Sequence, residues 1–151
     1  MKKAINHVWF LPHPPATIWQ YLTQSELLAQ WLMSNDFQPI VGHRFMFRSQ
    51  PYPPIGFDGN IFCEVLEIVP EKKLAYSWKL GPKPGEITVD SLVTWTLINQ
   101  GNGTELRLDH TGFTGVNDLP AYQAMFDGWK KNVDERMRKL IESTQHHETK
   151  H

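Results

Sequence analysis

"DLPAYQAMFDGWKKNVDERMRKLIE", residues 118–142, is the stretch on which the fold turns. Tyr122, Met125, Phe126, Trp129, Val133, Met137, Leu140 and Ile141 recur at i, i+3, i+4 and i+7, which makes one apolar stripe along a helix. The pairs Asp127–Lys131, Asp134–Arg138 and Glu135–Lys139 stand at i, i+4 on the other side, so that face is solvated. Asp118 is the expected cap, and Pro120 suits the first turn, where a missing N–H costs little. A long helix with one apolar face needs a surface to bury it against.

The preceding residues supply that surface as a sheet. In "HRFMFRS" Phe45 and Phe47 share one face, and in "KLAYSWKL" Leu74, Tyr76 and Trp78 do. "SLVTWTLI" sets Val93, Trp95 and Leu97 against Thr94 and Thr96, and "TELRLDH" sets Leu106, Leu108 and His110 against Glu105, Arg107 and Asp109. "GNIFCEVLEIV" (59–69) is apolar on both sides except for Glu64 and Glu67, the pattern of a strand covered on both faces. "PEKK", "GPKPGE" and "NQGNG" are turn sequences, and short loops between successive strands make an antiparallel meander. The stretch 50–59, with three prolines, is long for a hairpin loop and is expected to overhang a neighbouring element.

Upstream, "INHVWFL" (5–11) reads as a strand ended by Pro12, and Pro14 and Pro15 suit the start of a helix carrying Ile18, Trp19 and Leu22. Thr23 and Glu26 have capping-box spacing, which predicts a second short helix with Leu27, Leu28, Trp31 and Leu32 at helical positions. The order is strand, two short helices, about five further strands and one long helix. That order predicts an α+β helix-grip fold, a curved antiparallel sheet around the closing helix with the short helices at its mouth. Residues 1–143 are read as one domain and 144–151 as a polar, frayed tail.

Composition narrows the function. The formal charge is −1 and basic residues do not cluster, which argues against a nucleic-acid partner. No stretch approaches the ~20 apolar residues of a membrane span, and the five-residue apolar run before Pro12 is too short for a signal peptide. Cys63 is the only cysteine, which fits a reducing, cytoplasmic setting. Within its apolar strand it reads as a small buried hydrophobe.

Motifs of catalysis are few. GxSxG, HExxH, P-loop and GxGxxG patterns do not occur. Glu64, in an otherwise apolar strand, is a weak acid–base candidate, with pairing to Arg44 or Arg48 as the plainer reading. His110 is the other candidate, inward by parity but with no acid partner visible. It is read first as pocket wall, then as core, and last as catalyst. His43 lies in phase with Phe45 and Phe47. His7 and His13 read as surface residues. His146, His147 and His151 read as a solvated tail, so no metal site and no cofactor is expected.

Rings carry the stronger signal. Trp31, Phe45, Phe47, Tyr76, Trp78, Trp95, Phe126 and Trp129 come from five different elements and point to one interior, where they either fill the core or wall a cavity. Phe113, after Gly112, is expected to turn the chain toward the closing helix and cap one end of that cavity.

"LLAQWLMSNDFQPIVGHRFMFR", "GFDGNIFCEVLEIVPEKKLAYSW", "VTWTL", "GTELRLDHTGF" and "GWKKNVDERMRKLIE" together resemble the SRPBCC or START-like superfamily, whose fold is that of the birch-pollen allergen. Within it they are similar to the bacterial branch related to the activator of the heat-shock protein 90 ATPase, over roughly residues 5 to 142. The resemblance implies non-catalytic binding of a hydrophobic or aromatic small molecule between sheet and helix, in a stress-related setting. A co-chaperone-like interaction module with a chaperone partner is the alternative. The eukaryotic activator's additional N-terminal domain, which makes much of its chaperone contact, has no expected counterpart here. A cyclase- or hydrolase-type enzyme using His110, Glu64 or Tyr76 is the third reading, and no catalytic motif of the cyclases is carried over. The chain is expected as a monomer or a homodimer.

Overall fold

The computed structural model describes residues 2–114 and 119–148. β1 (Lys2–Leu11) is followed by helices α1 (Pro15–Thr23) and α2 (Ser25–Trp31). Then come β2 (Ser34–Asn35), β3 (Arg44–Arg48), a 3-10 turn at Pro53–Ile55, β4 (Asn60–Val69), β5 (Lys73–Leu80), β6 (Val89–Asn99) and β7 (Thr104–Thr114). The closing helix comprises α3 (Leu119–Lys131), a π-helical stretch (Asn132–Met137) and α4 (Arg138–Glu148). The expected cap, Asp118, lies outside the described residues.

The strands form one antiparallel sheet in the order β1-β7-β6-β5-β4-β3-β2. It has one strand more than the alternation predicted, the two-residue β2. β2 to β7 follow one another as a meander, and β1 returns to pair with β7, placing Ile5 opposite His110. The inward face follows the predicted parity: Phe45 and Phe47, Leu74, Tyr76 and Trp78, Val93, Trp95 and Leu97, and Leu106, Leu108 and His110 are all buried.

The closing helix buries Trp129, Val133, Met137 and Ile141 at strict four-residue spacing. A regular α-helix turns about 40° too far over each such interval, so the stripe would wander off the sheet. The wider turn of the π stretch, which holds Val133 and Met137, reduces that drift. The 3-10 turn of the proline-rich loop lies against α3, as its length suggested.

Four local expectations change. Thr23 does not cap α2. It is still helical in α1 and its hydroxyl donates back to the Trp19 carbonyl (2.7 Å), while Gln24 takes the extended cap position. β4 is not covered on both faces, since Phe62 and Leu66 are exposed on the outer side, where isolated apolar side chains are tolerated. His7 is half-buried and shares the inward parity of Ile5 and Trp9, with its ring 4.5 Å from that of Phe126. Gly112 does not turn the chain. At φ +108° it forms a bulge between the pairs Lys3↔Phe113 and Ala4↔Thr111. The extra residue reverses the parity, so Phe113 follows His110 to the inside.

Candidate functional site

The interior holds a continuous run of rings. Phe45 packs edge-on to Phe47 (5.4 Å) and Tyr76 (5.5 Å), Phe47 meets Trp78 (5.4 Å), and Trp78 meets Trp129 (5.0 Å). Trp95 touches Trp9, Trp31 and Trp129, and its Nε1–H donates to the Tyr76 hydroxyl (3.0 Å). Trp31 donates to the Tyr21 carbonyl at 2.8 Å. Burial pushes the Tyr76 hydroxyl well above the usual phenol range, so it stays protonated. Phe113 is buried against His110, with ring centres 4.7 Å apart. Phe126 packs half-buried against His7 and Tyr122.

His110 is fully buried and both its nitrogens are engaged. Trp129 Nε1–H donates to Nδ1 at 3.0 Å, and Nε2 lies 2.8 Å from Ser91 Oγ. Ser91 has a single hydroxyl proton, and it goes to the Trp78 carbonyl at 2.7 Å. His110 therefore carries its proton on Nε2 and donates to Ser91. The relay runs Trp129 to His110 to Ser91 to Trp78 in one direction. Burial draws the imidazole down from 6.5 to about 3, so it is neutral at ordinary pH. A serine nucleophile would need the opposite arrangement, with an unprotonated nitrogen accepting from the hydroxyl. The pair is wired as structure.

Glu64 is on the outer face, half-exposed, with Oε1 3.5 Å from Arg44 Nε. Cys63 is buried, and desolvation, aided by Asp36, raises its thiol far above the usual range. His43 meets the Asp36 carbonyl through Nε2 at 3.0 Å. Among the described residues, no three His, Cys, Asp or Glu side chains converge as a metal site.

A gap opens in this packing. A niche of about 60 Å³ lies between the end of α2, β5 and the closing helix. Leu32 and Met33, Trp78, and Met125, Gly128, Trp129 and Asn132 line it. Of the ring set expected to meet a ligand, it is Trp78 and Trp129 that reach this niche. Trp78 is 1% exposed, and its Nε1 is the one buried side-chain nitrogen or oxygen among the described residues that lacks a partner. Such orphans are rare in packed proteins. A Cβ built on Gly128 meets nothing within 4 Å, so the niche is open at that point. Met33, Gly128 and Asn132 escaped the reading of the sequence, although a lone glycine inside a long helix is a readable signal.

Seven antiparallel strands curved around one long helix, with two short helices at one end, define a helix-grip α+β protein. The chain belongs to the family described as Activator of Hsp90 ATPase homolog 1-like protein, whose profile matches residues 12–142. Protein MLL2253 from Mesorhizobium loti is similar at 34% identity and a TM-score of 0.82, over 94% of this chain and 98% of that one. The Aha1 dimer from Colwellia psychrerythraea has a TM-score of 0.71 at 20% identity, covering 93% and 95% of the two chains. DynU16, a protein in the dynemicin biosynthetic locus, has a TM-score of 0.74 at 19% identity, over 93% of this chain and 48% of its own. No curated protein matches the sequence. Among the described residues no helix is long and apolar enough to cross a membrane.

Proposed function

We propose that this chain is a non-catalytic binding protein for a small apolar or aromatic molecule, seated where β5 meets the closing helix. The observation that carries the reading is that Trp78, which lines the niche, has a buried Nε1 without a hydrogen-bond partner. At about 60 Å³ the niche is far smaller than the ~300–1,000 Å³ of ordinary ligand pockets. Binding therefore enlarges it, and Met33 and Met125 are suited to give way, since an unbranched thioether repacks at low cost. Most of the ring set, Trp31, Phe45, Phe47, Tyr76 and Trp95, then acts as a rigid wall behind the two tryptophans. DynU16, which shares the fold, is a protein in the dynemicin biosynthetic locus.

A docking role on a chaperone is the less favoured reading. It needs a continuous apolar face, whereas exposed Val8 and Phe10 on the outer sheet stand directly opposite Arg107 and Glu105.

The test is a titration with α-methylstyrene, followed by the indole N–H resonances and by thermal melting. The expected result is movement of the Trp78 and Trp129 signals and a raised Tm, both lost in Gly128→Leu, which fills the niche. Indole signals left unmoved both by saturating α-methylstyrene and by a carbonyl-bearing ligand of the same shape, or equal movement in Gly128→Leu, would overturn the reading.

A further inference from the structure

We propose that the molecule bound at the niche is a neutral one with a carbonyl-type oxygen, and that Trp78 Nε1–H reads that oxygen. The inference rests on the binding role proposed above and specifies its chemistry. An indole N–H can only donate, so its complement is an acceptor. A ligand offering only N–H groups would leave two donors facing each other. An anion is also disfavoured, because no Lys, Arg or His lines the niche and a desolvated carboxylate would have no counter-charge there. A purely apolar ligand would seal the Trp78 donor away from water with its hydrogen bond still unmade. Asn132, on the same wall, adds an amide that can donate to the same oxygen.

Gly128 is an independent pointer to the same place. A glycine within a helix is less stable than alanine by about 0.5–1 kcal/mol, and this one lies inside the closing helix, in α3 ahead of the π-helical stretch. No neighbour crowds its Cα, since an added Cβ would meet nothing within 4 Å. Packing therefore does not require glycine, whereas space for a ligand does. A helix position without a side chain and a tryptophan without its hydrogen-bond partner thus line one small space.

Acetophenone and α-methylstyrene have nearly the same shape and differ in C=O against C=CH₂. Titrating both into the full chain, with indole ¹H–¹⁵N signals as the readout, isolates the acceptor. The expected result is binding of acetophenone about tenfold tighter, the scale of one buried hydrogen bond. Its Trp78 indole proton should move downfield, and α-methylstyrene should not move it that way. Benzoate should bind more weakly than acetophenone. In Trp78→Phe, which keeps a ring but removes the donor, the preference should fall to within twofold. Equal affinities of the two isosteres, with both binding the wild type, would overturn this inference and leave the binding role standing. Failure of both to bind would overturn the two together.

Discussion

Lowering the pH from 7.5 to 5 should destabilise this protein in a way that traces to one side chain. His110 is uncharged and fully buried, holding Trp129 at Nδ1 and Ser91 at Nε2. Its folded value is near 3 against 6.5 for the free group, so between those limits the unfolded chain binds one more proton than the folded one. The stability that depends on neutral His110 is thus complete above about pH 6.5 and declines as pH falls, until the folded value is reached. One pH unit in that window corresponds to about 1.4 kcal/mol. From pH 7.5 to 5 the loss is about 2 kcal/mol, or roughly 4–8 °C in Tm for a chain of this length.

Urea unfolding monitored by tryptophan fluorescence at several pH values measures it. Carboxylates titrate over part of the same range, so the comparison that matters is with His110→Gln, which is neutral throughout and similar in length. The variant should be less stable at pH 7.5, because its amide cannot hold both partners in the imidazole's geometry. Its curve should be flatter by about 2 kcal/mol down to pH 5. Parallel curves for the two proteins would refute the reasoning. So would a Trp129 indole proton or an imidazole nitrogen shift that places the His110 proton on Nδ1.

Other outcomes follow from the same geometry. Gly112→Ala should cost about 1–3 kcal/mol, since φ is +108° and the new Cβ would lie 3.0 Å from both the Asp90 carbonyl oxygen and the Ser91 Cα; chemical unfolding reads this. Gly128→Ala should raise stability by about 0.5–1 kcal/mol while weakening acetophenone binding, so melting and titration move in opposite directions. Glu64→Gln should leave stability within about 0.5 kcal/mol, because its pairing with Arg44 is exposed; the urea midpoint checks it. Cys63 should resist a thiol reagent in the native state and react at the rate of unfolding, as burial keeps it protonated and covered.

Much of this molecule is legible in its residues because alternation and helical spacing are local properties. Parity placed Phe47, Trp78, Trp95 and His110 on the inner face, and the stripe from Trp129 to Ile141 placed the closing helix against them. Where local rules misled, a neighbour had intervened. Thr23 has the sequence of a cap, but the continuing helix α1 claimed its hydroxyl. Phe113 kept its inward place only because the Gly112 bulge added a residue between it and His110. His7 has the parity of Trp9 and is half-buried, not a surface residue.

The candidate site was legible in its parts and not in its arrangement. The sequence by itself determined the helix-grip fold and the ring-rich interior, since hydrophobic periodicity needs only positions along the chain. It could not say which rings fill the core and which meet open space. That depends on packing distances among Leu32, Trp78 and Gly128, which are far apart in sequence. Nor could it orient the relay, because the direction of a hydrogen bond is set by the last partner in the chain. Only the folded structure shows that the Ser91 proton goes to the Trp78 carbonyl, which makes His110 a donor, and that the indole of the same Trp78 is left without an acceptor.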